Sequence, residues 1–197
     1  MSRGGRTIAV SVWHNPGMAD DGTVTLTTGR LVLRPWQLTD VDAVLAYASD
    51  DEFRRYLAMP EPYERRDAEQ FVATMLLRDW QVHPTFAITL SGEAIGDINA
   101  RVDAKHHLAE IGYGISRPHW GVGYTTEAAR AVVGWAFETY GLAKVMARAD
   151  SRNVASWRVM EKLGMRREGL LRGHRVLREE RRDEVLYGVM CEDFKST

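Results

Sequence analysis

The spacing of apolar positions changes along this chain, and each change marks an element. Leu31-Val32-Leu33 before Arg34-Pro35 is the compact apolar run of a first strand. Thr39-Asp40 then caps a helix on which Val41, Val44, Leu45 and Ala48 share one side. A second helical pattern covers 65–77, with Ala68, Phe71, Val72, Met75 and Leu76 together. Strand patterns follow at 85–90, 94–102 and 108–115. Ser91-Gly92-Glu93 makes a hairpin turn between the first two, and His106-His107 breaks the second from the third. A glycine-containing loop, 116–123, leads into a long helix at 125–140. Ala128, Ala131, Val132 and Trp135 form one face of that helix, flanked by Ala129, Val133, Ala136 and Tyr140. So wide an apolar surface predicts burial against a sheet, and Gly141 suits the C-cap. A strand at 145–149, a helix at 153–163 and strands at 165–171 and 184–189 complete the pattern.

The order is mixed α/β, with helices interleaved around a largely antiparallel run of strands. Residues 1–28 lack sustained periodicity and are expected to form a flexible tail, although 7–13 has the makings of an edge strand. Residues 29–197 then form a single domain.

Composition narrows the partners. Twenty-six basic and twenty-seven acidic residues leave a formal net charge of -1, which supplies no global field for nucleic acid or an anionic membrane. Apolar runs are too short to span a bilayer, and 8–13 is too short and mixed for a secretory signal. Cys191 is the only cysteine, so neither an internal disulfide nor a multi-cysteine zinc site is available. The six histidines lack metal-ligand spacing, so no metal is expected. A reducing, cytoplasmic location and a monomer or homodimer are the economical expectations.

The segment from Trp120 to Ala128, Trp-Gly-Val-Gly-Tyr-Thr-Thr-Glu-Ala, lies between a strand and a helix. Glycines there let the backbone approach a phosphate, and free N–H groups at a helix start attract anions. Taken alone the loop serves turn geometry as readily as phosphate. The dinucleotide fingerprint fails because Thr126 holds its third glycine position, and the G-x-x-x-x-G-K-[ST] loop of nucleotide enzymes is absent.

Taken with its neighbours, this loop resembles the signature of the GNAT acetyltransferase superfamily, [RQ]-x-x-G-x-[GA], with Gly121 and Gly123 as its glycines. The likeness to the RimJ/RimL-type branch extends further. Thr28 to Pro35 resembles its opening, Glu110-Ile111-Gly112-Tyr113 its strand motif, and Gly121 to Ala128 its loop. Asn153, Ser156, Glu161, Lys162, Gly164, Met165, Glu168 and Gly169 resemble its closing run. Two positions depart: Pro118 stands at the usual Arg/Gln position, and Met160 where many relatives carry a tyrosine that protonates the leaving thiolate.

The resemblance implies a GNAT fold, a twisted, largely antiparallel sheet of about seven strands with helices on both faces. It implies acetyl-CoA as co-substrate and a primary amine as acceptor, either a protein N-terminus or a small amine such as a polyamine. A CoA-binding scaffold with little catalysis is the reading from another class. Gly114, Ile115 and Ser116 would pair with the pantetheine arm, and an N–H there would stabilise the oxyanion. Trp120, Gly121, Val122, Gly123, Tyr124, Thr125 and Thr126 would hold the pyrophosphate. Asn153 either binds the pantetheine end or simply caps its helix. The amine must lose a proton, and Glu168 and Glu110 are the candidate bases; either could instead be a strand charge with an arginine partner. Ser156 is the candidate acid or a small residue under the cofactor. Glu127 is assigned to the helix start. Trp36, Phe53, Tyr56 and Tyr63 serve either a substrate wall or core packing. The arginines between 172 and 182 are interleaved with acids, as in a solvated hairpin or, alternatively, a site for an anionic ligand.

Overall fold

The computed structural model describes residues 22–194. The edge strand considered at 7–13 lies outside them. In chain order the elements are β1 (Leu26–Thr27), β2 (Val32–Arg34), α1 (Val41–Ala48), α2 (Asp51–Arg54), α3 (Arg65–Leu76), β3 (Thr85–Leu90), β4 (Glu93–Asp103) and β5 (Leu108–Ile115). Then come α4 (Tyr124–Tyr140), β6 (Lys144–Asp150), α5 (Val154–Lys162), β7 (Arg166–Leu177) and β8 (Glu180–Met190).

Each helix start has a local cause. Asp40 ahead of α1 accepts from the Gln37 amide at 2.8 Å and holds both Arg34 nitrogens, which raises the arginine's affinity for its proton. Asp50 caps α2 by accepting from Glu52 N at 2.8 Å. Asp67 reaches back to Glu64 N at 2.8 Å in a capping box on α3. Glycines in left-handed conformation bracket α4, Gly123 before it and Gly141 after it.

The eight strands form one sheet in the order β1-β2-β3-β4-β5-β6-β8-β7. Every neighbouring pair is antiparallel except β5 and β6. That parallel pairing runs from Leu108↔Lys144 to Ile111↔Ala147 and ends, although β5 continues to Ile115 and β6 to Asp150. The two strands therefore part, and their facing backbone groups beyond Ile111 and Ala147 have no ladder partner across the gap.

Alternating side chains serve the two faces of the sheet. Ile98, Ala100, Ile111, Val145, Ala147 and Val185 pack toward α4 and α5. The small residues Ala128, Ala129 and Ala136 bring α4 close to the strands, and Val132 and Val133 fill what remains. Burying a side chain of valine size contributes about 1.5–3 kcal/mol, so this seam fixes the helix that carries the loop. The opposite face meets α1–α3 through Val44, Tyr47, Phe53, Tyr63 and Val72, with Ala87 from β3.

Three expectations are corrected. The ordered domain begins before residue 29: Val24 is buried and Leu26–Thr27 pairs with β2, which makes β1 the strand missing from a count of about seven. β7 and β8 are longer than 165–171 and 184–189; they meet at Arg178-Glu179, both at positive φ, the geometry of a two-residue hairpin turn. The four-residue α2 has no apolar period to announce it and follows from its Asp50 cap.

Candidate active site

The parting of β5 and β6 opens into a cavity of about 510 Å³. Gly114 and Ile115 line it from β5, Asn153 and Ser156 from α5, and Phe53 and Tyr56 from α2 and the turn after it. Trp120, Gly121, Gly123, Thr125 and Thr126 line it from the loop.

The loop is built for an anion. Gly121 and Gly123 have φ of 75° and 90°, a region side chains disfavour. The first amide bond of α4 runs from Glu127 N to Gly123 O at 3.1 Å, so the amides of Tyr124, Thr125 and Thr126 have no carbonyl within the helix. They point at the loop with the positive end of the macrodipole behind them. Arg30 fastens the loop from outside. It pairs with Glu127 at 2.6 Å, donates to Val122 O at 3.2 Å and lies 4.4 Å over the Tyr124 ring. Burial alone would raise the Glu127 carboxyl, but bonds from Thr28 and Arg30 outweigh it and hold the group below the usual carboxylate range. Glu127 thus anchors the helix start. Arg55, Arg152, Arg158 and Lys162 line the same cavity, so phosphates would meet cations on the sides away from the loop.

Not every residue expected at the cofactor faces the cavity. Ser116 is buried; its amide donates to Ile95 O at 2.8 Å and its hydroxyl shares a 2.6 Å bond with His119 Nδ1, so it has no amide to offer an oxyanion. Val122 is turned toward Arg30, and the Tyr124 ring lies beneath that arginine. The Trp120 indole donates to Ile115 O at 2.7 Å across the cavity mouth.

On the α5 side, Asn153 caps its helix by accepting from Ser156 N at 3.2 Å and also lines the cavity. Ser156 donates to the Tyr113 hydroxyl at 3.3 Å, and Tyr113 donates to Ser156 O at 2.8 Å. Burial pushes Tyr113 up to about 12, so this pair is a neutral hydroxyl couple on the cavity wall. Met160 is buried in the core and carries no proton.

The two glutamates separate. Glu168 sits at a bulge in β7 and pairs with Lys144 at 2.6 Å, above Gly188. Lys144 begins β6, at the end opposite the cavity, so Glu168 lies away from the site. The motif places it soon after α5, but β7 carries it along the sheet to a lysine partner. Glu110 is on the face opposite α4, with both oxygens held by Arg148 at 2.9 and 3.0 Å. Glu184 continues that polar strip, 4.0 Å from Arg148, 3.8 Å from His174 and 3.6 Å from Arg175. The hairpin arginines are more than a solvated strip. Arg175 donates to Tyr56 O at 3.2 Å, and Arg178 holds Glu61 and the Arg55 carbonyl, tying the hairpin to the turn after α2.

Comparison with known proteins agrees with this geometry. A family model described as an acetyltransferase (GNAT) domain matches residues 30–166. The uncharacterized N-acetyltransferase YnaD of Bacillus subtilis is 31% identical over 172 residues, covering 86% of this chain and 98% of its own. A GNAT-family acetyltransferase from Bacillus anthracis superposes with a TM-score of 0.77 at 29% identity, covering 86% of this chain and 99% of that one. RimL, a ribosomal L7/L12 alpha-N-protein acetyltransferase solved with coenzyme A, shares the fold at a TM-score of 0.76 and 17% identity, over 84% and 96% of the two chains. The family model and the relatives agree: this chain belongs to the GNAT acetyltransferases and is an acetyl-CoA-dependent N-acetyltransferase.

Proposed function

We propose that the acceptor is the α-amine of a protein N-terminus. The polar strip on the acceptor face carries this reading. Glu110 lies four residues before Gly114, about 13 Å along an extended strand. Arg148, Glu184 and His174 continue the strip across β6, β8 and β7. An acceptor that reaches from the gap to Glu110 must extend several residues behind the reacting amine, whereas a small amine at Gly114 would leave that end of the strip untouched. The motif run resembling the RimJ/RimL-type branch supports the same reading.

In this reading the loop and the start of α4 hold the pyrophosphate, and the parted edges of β5 and β6 hold the pantetheine arm. An α-amine, with a pKa of about 7.7–8.0, needs far less help to lose its proton than a lysine at about 10.4.

An acceptor screen reading CoA-thiol release tests this. Short peptides with free N-termini are expected to exceed polyamines and free amino acids by about tenfold or more in kcat/KM, a difference of about 1.4 kcal/mol. The same peptides with blocked N-termini should be inert. Small amines turning over faster than every peptide would move the acceptor to that class.

Glu168→Gln is expected to leave kcat/KM near wild type. It removes one partly exposed ion pair with Lys144, worth about 0–1 kcal/mol of stability. A hundredfold loss of rate with the fold intact would return Glu168 to the chemistry.

A further inference from the structure

A carboxylate with no cation against it lies level with the end of the gap between β5 and β6. Asp97 on β4 is directly opposite Gly114 on β5, and Asn99 is opposite Gly112. Both glycines are open toward these side chains. A Cβ built on Gly114 would stand 3.2 Å from Asp97 Oδ1 and 3.1 Å from the Phe53 ring, and one on Gly112 would stand 3.4 Å from the Asn99 amide. Gly114 and Phe53 line the cavity, and Asp97 lies directly behind them, against the face of Gly114 that carries no side chain.

The other carboxylates of this region are committed. Glu110 has both oxygens on Arg148, Glu184 lies among Arg148, His174 and Arg175, and Asp150 holds the Arg152 amide and guanidinium. Among the described residues Asp97 makes no ion pair, and its hydrogen-bonding partner is Asn99. From α1 and from the segment before α3, Tyr47 and Tyr63 face it. The Tyr47 hydroxyl is buried and has no hydrogen-bond partner among the described residues, so a donor stands unused in the same corner.

We propose that Asp97 is the catalytic base, taking the proton from the acceptor amine on the side of Gly114 away from α4. This rests on the acetyl-transfer reading of the cavity. The α-ammonium gives one proton to the Asp97 carboxylate, and the freed nitrogen lone pair forms the new bond to the acetyl carbonyl carbon. The carbon–sulfur bond breaks, and the sulfur keeps its electron pair. The thiolate takes up, through solvent, the second proton that the acylated nitrogen releases, and Asp97 returns its proton to solvent before the next turnover. Burial pushes Asp97 up to about 7, with the Asn99 bond opposing, and a base poised there is matched to an α-amine at neutral pH.

The test is the pH dependence of kcat/KM for full-length wild type and Asp97→Asn, on a peptide with a free N-terminus, beside calorimetry with acetyl-CoA. Asp97→Asn is expected to lose about 10²–10³-fold at neutral pH. The deficit should shrink as pH rises past the amine's own pKa, and acetyl-CoA affinity should stay at the wild-type value. Asp97→Ala should recover part of its rate with added formate, which a purely structural role would not allow. Asp97→Asn keeping wild-type kcat/KM from pH 6 to 9 would overturn the assignment, as would a rate deficit constant across pH with no formate rescue. Wild type that binds acetyl-CoA yet releases no thiol with any amine would sink the acetyl-transfer reading, and this inference with it.

Discussion

Gly123→Glu is expected to abolish measurable acetyl-CoA binding while the protein stays folded. Gly123 caps α4 at φ 90°, where a side chain is strained by about 1–2 kcal/mol. Among the described residues the only atom near a Cβ there belongs to the Arg30 guanidinium, at 3.6 Å, so bulk alone meets little resistance. Charge is the larger effect. A carboxylate beside the free amides of Tyr124–Thr126 would occupy the anion site and repel the pyrophosphate. The loss should be at least a hundredfold in Kd, about 2.8 kcal/mol, by calorimetry. Gly123→Ala separates the two terms, since it carries the strain without the charge and should lose about tenfold or less. If Gly123→Glu binds acetyl-CoA as tightly as wild type, the loop does not hold the phosphates.

Much of this site was legible in the sequence because its parts are local. The G-x-G loop and the helix behind it are consecutive, so Gly121, Gly123, Thr125 and Thr126 line one cavity together, at the place the family resemblance gave them. Asn153 and Ser156 share one helical turn and arrive together for the same reason. Residues that act across strands were harder to read. Glu168 follows the motif closely in sequence, but a bulge and Lys144 set its place. Glu110 has the right strand and face, but Arg148, thirty-eight residues away, occupies both its oxygens. Asp97 was overlooked although a signal existed. Polar Asp97, Asn99 and Arg101 alternate with Ile98, Ala100 and Val102 on a strand flanked by others on both sides, where a polar stripe must face something. Its partners Gly112 and Gly114 lie on another strand, and only the register reveals that they clear space for it.

The same register yields the second large effect. Gly96 is opposite Ile115, and a Cβ on it would stand 2.3 Å from Gly114 O and 2.8 Å from Ile115 Cα. Both are backbone atoms of a paired strand and cannot swing aside as a flexible side chain would. Gly96→Ala must therefore push β5 away from β4, and the expected penalty is about 3 kcal/mol, the upper end of overpacking. For a chain of this size that lowers Tm by roughly 6–12 °C. Because the displaced residues are Gly114 and Ile115, the gap that takes the pantetheine arm moves with them. Acetyl-CoA affinity should fall even at temperatures where the variant is fully folded. Gly169→Ala is the matched control, the same change in β7 with nothing among the described residues within 4 Å of the new atom. It should stay within about 0.5 kcal/mol of wild type. Thermal unfolding of the two variants, with and without acetyl-CoA, reads both effects. A Gly96→Ala protein as stable as Gly169→Ala would mean that β4 and β5 are not as close at the mouth of the gap as this register requires.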